Sequence, residues 1–350
     1  MGTDRLVYFR TDGNSSIATG HLIRCLSIAQ ACHDLGLDVC FLVSDHESKN
    51  LLEAFLPDIS EKPDIQVLKT AAYNDLEKEL TEVTALISDA NVIYKKVIFF
   101  LDSYFVTEKY LNTIRSLTKT AYLDDLQLFD YPADLVINYD VIPDDLLPAY
   151  RKAYTAAGKR LLGASYTPLR KQFHGKEYFV RRKASNVLVT TGGSDPFHFC
   201  LRLIEAFHEK LQLHIVIGKL NEDREALYCL AASLPFITLH ENVSDMASLM
   251  AKCDLAVSAA GTTLYELCAV GVPAVSFTMA DNQITAAKAF ADTGTIPYAG
   301  DLRDSFDTVL STAIDFLACM SENKDKRKSA HENMHRLVDG KGAMRIAEEL

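Results

Sequence analysis

The sequence lacks tryptophan, long apolar runs and an excess of basic residues. Its 36 Lys and Arg are outnumbered by 47 Asp and Glu, which gives a formal net charge of −11. Because nucleic acids and anionic membranes bind basic surfaces, this charge argues against both as partners. It does not exclude a phosphorylated small molecule, since backbone N–H groups at helix starts hold phosphate without Lys or Arg. No apolar run approaches the ~20 residues that cross a bilayer.

The eight cysteines form no C-x-x-C pair, so the pattern indicates neither a zinc knuckle nor a thioredoxin-like motif. Most of them lie in apolar runs, as is typical of buried cysteines in a reducing cytosol. The first residues, MGTDRLVYFRTDG, predict a strand and a polar loop rather than a signal peptide. We therefore expect a cytoplasmic protein. Without a compact His/Asp cluster, we expect neither a metal nor another cofactor.

Short β-branched runs alternate with helical periods twice along the chain, first from Leu6 and again from Asn186. Several runs are apolar almost throughout, as in parallel strands buried on both faces. Two such alternations predict an α/β protein of two doubly wound, Rossmann-like domains, with ligands at the carboxyl ends of the strands, in a cleft. We place the domains at 1–165 and 166–334 and expect a C-terminal helix, 335–350, to pack back on the first. The irregular segment 143–179 is interpreted as the crossover.

The loop after the first strand, RTDGNSSIATGHLIR, leads directly into a helix predicted from Gly20 to Leu35. His21 lies at the helix start, where the positive end of the dipole favours a neutral imidazole. A neutral imidazole at the end of the first strand suits a general base, although His21 can equally be a polar cap. Asp102, Asp124 and Asp125 also end strands, and their pattern leaves paired carboxylates, a metal site and simple caps open.

Two glycine-bearing turns precede helices in the second half. In TTGGSDP, Gly192 and Gly193 allow close backbone approach, and a helix from about Pro196 can turn its amides towards an anion. The turn matches neither G-x-x-x-x-G-K-[ST] nor G-x-G-x-x-G, so it supports neither a nucleotide triphosphatase nor a dinucleotide site. Gly261 ends a later strand in the same manner. Both can also be plain turns.

Three further side chains follow strand ends in this half. Glu266, one turn into the helix after Gly261, can accept two hydrogen bonds from a ribose diol or merely complement the helix dipole. Asn282 and Gln283 place amides at the end of the next strand, or cap a helix from Ile284. Together, the two turns and Glu266 make a nucleoside diphosphate the most plausible ligand.

These loops resemble one family over nearly the whole chain. It is the UDP-2,4-diacetamido-2,4,6-trideoxy-β-L-altropyranose hydrolase family of pseudaminic acid biosynthesis, a hydrolytic relative of GT-B glycosyltransferases of the peptidoglycan N-acetylglucosaminyltransferase type. The matching stretches are R-x-D…I-x-x-G-H-x-x-R-C-L from Arg10, DSY from Asp102, LDD from Leu123, GASYTPLRKQF from Gly163, GGSDP from Gly192, N-V-x-x-M from Asn242, AGTTLYELC from Ala260 and DNQ from Asp281.

The resemblance implies a GT-B fold, inversion at the sugar carbon and no obligatory metal. It implies that His21 activates water and that Tyr104 and Asn282 surround the sugar. Asp12, in the matching R-x-D stretch, is predicted to be a further catalytic residue. The implied substrate-binding residues are Gly192, Gly193, Ser194, Gly261, Thr262 and Thr263 for the diphosphate, Glu266 for the ribose, Val243 for uracil, and Gly20, Arg24 and Gln283 within the matching stretches. Ala18 departs from the family, which has Gly there.

Two other functions remain open at this stage. A GT-B transferase would replace water with a sugar hydroxyl, and a non-catalytic protein would bind the nucleotide sugar with His21 silent. The expected partner in every case is a small-molecule UDP-sugar, and the sequence predicts no oligomeric state.

Overall fold

The computed structural model describes residues 4–56, 62–207 and 210–350. The chain forms two compact units, one of Met1–Lys171 with Lys341–Leu350 and the other of Gln172–Gly340. The sequence placed the domain boundary after residue 165 and the returning segment at 335–350. In the structure, the boundary follows Lys171 and the return begins at Lys341.

The N-terminal unit is built on a parallel sheet. Its strands are β1 (Arg5–Thr11), β2 (Asp38–Val43), β3 (Asp64–Val67), β4 (Lys96–Asp102), β5 (Lys119–Leu123), β6 (Leu135–Asn138) and β7 (Lys159–Leu162). The helices between them are α1 (Gly20–Asp34), α2 (His46–Phe55), α3 (Leu80–Ile93), α4 (Glu108–Arg115) and α5 (Leu147–Ala153), with short 3₁₀ turns at Leu76–Glu79 and Ala164–Tyr166. The strand order is β3-β2-β1-β4-β5-β6-β7.

Both faces of this sheet are covered, and successive residues of β1 show it. Val7 and Phe9 enter the core that α1 closes, whereas Leu6 and Tyr8 enter the opposite core with residues of α3 and α4. Because both faces of β1 are buried, its sequence does not alternate between apolar and polar residues. This explains the continuous apolar run from Leu6 to Phe9.

The C-terminal unit repeats the design. Its strands are β8 (Asn186–Thr190), β9 (Gln212–Ile217), β10 (Ile237–Glu241), β11 (Leu255–Ala259), β12 (Ala274–Thr278) and β13 (Tyr298–Asp301). Its helices are α6 (Phe199–Ala206), α7 (Arg224–Ser233), α8 (Met246–Lys252), α9 (Thr262–Val270), α10 (Asp281–Asp292), α11 (Phe306–Glu322) and α12 (Lys324–Leu337), with a 3₁₀ turn at Lys171–Phe173 at its beginning. The parallel order β10-β9-β8-β11-β12-β13 again changes direction beside its first strand.

The last helix, α13 (Gly342–Glu349), belongs to the N-terminal unit and packs on α1. Ala343, Ile346 and Ala347 of α13 are buried in the same core as Leu22 of α1. The sequence predicts that residues 335–337 belong to this helix. In the structure, they are instead the last residues of α12, in the other unit. In the described part of the chain, no helix is long and apolar enough to cross a membrane.

Candidate active site

The functional edge of the N-terminal unit lies where β1 and β4 end side by side. Thr11 and Asp102, the last residues of the two strands, are paired in register. These strands flank the point where the strand order reverses, at which doubly wound sheets bind their ligands. The polar loop that follows β1 leads into α1, so that His21 lies in the first turn of α1 close to this edge.

His21 and Asp102 form a buried pair. The Nδ1 atom of His21 lies 2.6 Å from Oδ1 of Asp102, and the two residues are 4% and 1% exposed. An ionised carboxylate accepts only, so Nδ1–H donates to Asp102 and Nε2 of the neutral imidazole carries the lone pair. Nε2 has no hydrogen-bond partner among the described residues. The sequence pointed to both residues but not to their contact.

Arg24 holds the other side of Asp102. Its Nε and Nη2 atoms donate to the two oxygens of Asp102, each at 2.6 Å, and Nη1 donates to Asp125 at 2.6 Å and to Tyr139 at 2.8 Å. The Arg24 guanidinium and His21 hold the pKa of Asp102 well below its usual range, against the effect of burial. The resemblance assigned Arg24 to the substrate, yet all three of its nitrogens already donate within this cluster.

Tyr104 covers His21 from the solvent side. The two rings meet edge to face with centroids 4.4 Å apart, and the Tyr104 hydroxyl donates to Asp125 at 3.3 Å. Burial and the nearby Asp125 raise the pKa of Tyr104 to about 12, so its hydroxyl stays protonated. A cavity of about 10 Å³, close to the minimum that holds one water molecule, is lined by Asp12, Ile17, His21, Asp102, Ser103, Tyr104 and Phe105.

Asp12 is fixed by partners that the sequence did not reveal. Its Oδ2 accepts from Nη1 of Arg10 at 2.5 Å and its Oδ1 from the backbone N–H of Ser44 at 2.6 Å. Arg10 is fully buried and also donates to both oxygens of Glu79, at 2.7 and 2.8 Å. Tyr110 donates to the same Glu79 carboxylate. Asp12 therefore lines the cavity as a hydrogen-bonded carboxylate.

Asp124 organises the loop after β5 rather than facing a ligand. It accepts hydrogen bonds from the backbone N–H groups of Leu126 and Gln127 and from the Tyr154 hydroxyl, the last at 2.6 Å. Both carboxylate oxygens are thereby engaged. Of the readings left open for Asp102, Asp124 and Asp125, the structure therefore makes Asp124 a loop cap and places the other two around Arg24.

The loop between β1 and α1 adopts a conformation that only some residues accept. A Cβ atom at Gly13 would lie 2.5 Å from Cδ1 of Leu22, so Gly13 permits the close approach of the loop to α1. Ala18 has φ of +58°, in the left-handed region. Ala18, where the family that the chain resembles has glycine, is therefore at a position that favours glycine.

We expect Ala18→Gly to stabilise the protein by about 0.5–1 kcal/mol. The left-handed conformation costs an L-residue roughly 1–2 kcal/mol, and part of this gain is offset by the greater freedom of glycine in the unfolded chain. Urea unfolding of both proteins measures the difference. Ala149→Gly, at an exposed position of α5, is the matched control and should be destabilising. Equal destabilisation by the two changes would contradict the prediction.

In the C-terminal unit, the first glycine turn lies at the end of β8. Gly192 has φ of +82°, as a tight strand-to-helix turn requires. The prediction that the helix begins near Pro196 is wrong, because α6 begins at Phe199. The Asp195 carboxylate accepts from the backbone N–H groups of Phe199 and Cys200, at 2.8 and 2.9 Å. These two helix amides are therefore occupied, and the Gly192 N–H donates to Oγ1 of Thr190 at 3.3 Å, which leaves the Gly193–Ser194 part of the turn for a ligand.

The second glycine turn lies at the end of β11 and is open. Gly261 is the N-cap of α9, and no side chain of the described residues caps this helix. Gly261 and Thr262 are exposed, and Thr263 and Glu266 are half-buried. The N-terminal amides of α9 thus face outwards with the dipole behind them, an arrangement that suits a phosphate.

Two loops beside this turn carry the remaining predicted residues. The helix α10 begins at Asp281 and not at Ile284, and Oε1 of Gln283 accepts from the backbone N–H of Met279 at 2.8 Å. Gln283 therefore holds the backbone just before its own helix, whereas Asn282 is exposed. Val243 is half-buried and follows Asn242, whose φ is +48°. Across residues 4–56, 62–207 and 210–350, no three His, Cys, Asp or Glu side chains are grouped to hold a metal ion.

Comparison with known proteins extends these observations. Residues 186–339 match the model of the glycosyltransferase family 28 C-terminal domain. The spore coat polysaccharide biosynthesis protein SpsG of Bacillus subtilis (strain 168) is 29% identical over 203 residues, which are 56% of this chain and 59% of that protein. Protein MJ1062 of Methanocaldococcus jannaschii is 26% identical over 287 residues, covering 76% and 54% respectively. The chain thus matches less than two thirds of either relative.

Solved structures resemble the whole chain. MurG of Acinetobacter baumannii superimposes with a TM-score of 0.68 at 16% identity, covering 99% of this chain and 98% of that one. The UDP-GlcNAc 2-epimerase of Neisseria meningitidis, solved with UDP-GlcNAc bound, gives 0.63 at 15% identity and covers 98% of both chains. At this identity the likeness establishes the fold alone. The predicted fold class, GT-B with two Rossmann-like α/β domains, is confirmed, and the chain is related to the GT-B superfamily.

Proposed function

We propose that this protein hydrolyses a UDP-activated amino sugar, releasing UDP and the free sugar by attack of water on the anomeric carbon. The observation that carries the proposal is the buried His21–Asp102 pair, whose imidazole lines a cavity of single-water size. Asp102 holds the ring in the tautomer that leaves Nε2 as an acceptor and stabilises the imidazolium that forms after proton transfer.

Water and the UDP-sugar are the only reactants that the bond changes require. Nε2 of His21 takes a proton from water while the water oxygen bonds to C1 of the sugar. The bond between C1 and the β-phosphate oxygen breaks, and UDP departs with that electron pair. Because UDP is a good leaving group, no strong general acid is needed, in contrast to ordinary glycosidases. Attack opposite the leaving group inverts the configuration at C1.

The nucleotide is assigned to the C-terminal unit. We place the diphosphate at the Gly261–Thr263 helix start and the Gly192–Ser194 turn, the ribose at Glu266 and uracil at the backbone near Val243. The uncapped N-terminus of α9 supports the first assignment, since its amides are not taken by a side chain. The relatives whose names mention UDP-sugars support the nucleotide class.

The sugar is assigned to the N-terminal unit, around Tyr104. Tyr104 and Phe105 line the cavity beside His21 and are 39% and 38% exposed, so an apolar face is available to the methyl and acetamido groups of a deoxy amino sugar. Together with the motif resemblance, this favours UDP-2,4-diacetamido-2,4,6-trideoxy-β-L-altropyranose. Arg24 is reassigned from the substrate to the positioning of Asp102, because its nitrogens already donate there.

The decisive assay follows UDP release from a panel of UDP-sugars in ¹⁸O-labelled water without an acceptor. Hydrolysis at C1 predicts label in the sugar and none in UDP, with the inverted anomer seen first by NMR. Turnover that requires an added sugar acceptor would instead establish a glycosyltransferase, the activity named by the family 28 model. Binding of UDP-sugars without turnover in either assay would establish a non-catalytic binding protein.

Saturating UDP is expected to protect the protein against thermal unfolding. At about 100 times Kd, a ligand that binds only the folded state contributes about 2.7 kcal/mol. Glu266→Ala should lose much of this shift while remaining folded, because the ribose hydroxyls lose their acceptor. Glu225→Ala, which removes an exposed glutamate from the first turn of α7, should keep it. A melting temperature that does not move at millimolar UDP would refute the nucleotide assignment.

A further inference from the structure

A larger cavity lies at the opposite edge of the N-terminal sheet, where the strands begin. Its volume is about 420 Å³, within the range of small-molecule sites. The first residues of β2 and β3 and the last turn of α3 line it. The His21 cluster lies at the carboxyl ends of the strands, so this cavity has no part in the proposed hydrolysis.

Acidic residues outnumber basic ones around this cavity. Asp38, Asp64 and Asp89 line it, and Lys62 alone among its described lining residues is a lysine or arginine. The C-terminal end of α3 adds the negative pole of its dipole, because Ala90 belongs to the last turn of that helix. Asp64 and Asp89 are exposed, which places two of the carboxylates at the open rim.

Apolar side chains and two tyrosine rings line one part of the cavity, beside several polar side chains. Leu86 and Ala90 of α3 and the ring of Tyr94 line it together with Tyr8. Tyr8 is 94% buried, since only 6% of it is exposed, and its hydroxyl has no hydrogen-bond partner among the described residues. Burial, followed by the influence of Cys40, Tyr94, Asp64 and Asp89, raises the pKa of Tyr8 to about 12. The hydroxyl therefore remains a donor for a ligand.

We propose that this cavity binds a small organic cation, with its apolar body against Tyr8 and Leu86 and its ammonium group at the rim beside Asp64 and Asp89. An anion would meet like charges at the rim, and a wholly apolar ligand would leave the Tyr8 hydroxyl unpaired. An aromatic amine with a polar atom at its far end meets all three features, because aromatic groups fill apolar interiors, carboxylates attract ammonium and the hydroxyl finds a partner.

Tyramine is the probe, measured by calorimetry with the full-length protein. Its neutral isostere tyrosol should bind at least about tenfold more weakly, because it lacks the charge that the carboxylates attract. Asp64→Asn with Asp89→Asn should weaken tyramine about fivefold. Asp144→Asn with Asp145→Asn, which removes the same charge from exposed positions beyond β6, should not. Tyr8→Phe should weaken tyramine about threefold and leave phenethylamine unchanged, since phenethylamine has no group for the hydroxyl.

Several results would overturn the proposal. They are the absence of tyramine binding at millimolar concentration, equal binding of tyrosol, and equal effects of the two double variants. Tyr8→Phe is isosteric, and its thermal unfolding reports whether the fold is kept. UDP-sugar turnover is a separate readout, so failure here leaves the proposed hydrolysis standing, and failure of hydrolysis leaves this site standing.

Discussion

His21→Gln is expected to lower the rate of UDP release by about 10²- to 10⁴-fold, the usual contribution of a general base, with UDP affinity near that of the wild type. Glutamine keeps a polar side chain of similar reach but cannot take a proton from water. The loops proposed to bind the nucleotide lie in the C-terminal unit, whereas His21 is buried in the N-terminal one. Single-turnover kinetics and UDP calorimetry measure the two quantities independently.

Asp102→Asn tests the same pair from the other side. The amide can donate to Nδ1, which would favour the tautomer with the proton on Nε2 and leave no lone pair facing the cavity. We therefore expect a loss approaching that of His21→Gln. His46→Gln is the matched control, because His46 also lies in the first turn of a helix of the N-terminal unit, but it is exposed. It should retain full activity.

The pKa of Asp102 is held well below its usual range by Arg24 and His21, so Asp102 stays ionised and remains the acceptor for His21. If His21→Gln keeps most of its activity, His21 is only part of a helix start. The base would then have to be sought among carboxylates that already accept hydrogen bonds, such as Asp12 and Asp124.

The elements that the sequence predicted well have strong local signals. α1 was expected from Gly20 to Leu35 and extends from Gly20 to Asp34, with Gly36 in the left-handed region just after its end. β7 and β13 lack the longer apolar runs that mark the other strands in the sequence. β7 is four residues long with two of them exposed, and β13 contains a glycine. The segment read as a crossover therefore contains a strand of the first sheet.

The contacts of the candidate site were harder to predict, because they join residues far apart in the chain. His21 and Asp102 are 81 positions apart, and Arg10 and Glu79 are 69 apart. Ends of parallel strands meet at one edge, which is why the general location was predictable. Which carboxylate meets His21 depends on strand order, and local patterns do not encode it. No local pattern marks Glu79, although it is fully buried.

Arg10→Met is expected to destabilise the protein by about 3–5 kcal/mol, the range for removing one partner from a buried ionic cluster. Asp12 and Glu79 would be left as buried carboxylates 3% and 0% exposed, without the guanidinium that now pairs with both. Methionine fills much of the arginine volume, so the loss reports on charge more than on a cavity. Urea unfolding at neutral pH measures it.

Two further variants decide whether this cluster carries the effect. Arg5→Met removes the same charge from the exposed first residue of the same strand and should change stability by no more than about 0.5 kcal/mol. Arg10→Met combined with Glu79→Leu should recover a large part of the loss, because replacing buried ionic groups by apolar ones of similar volume is often near neutral. Recovery would be incomplete, since Asp12 would keep only the Ser44 N–H and Tyr110 would lose its acceptor. If Arg10→Met costs no more than Arg5→Met, the cluster contributes little and the position of Asp12 beside His21 depends on the loop backbone instead.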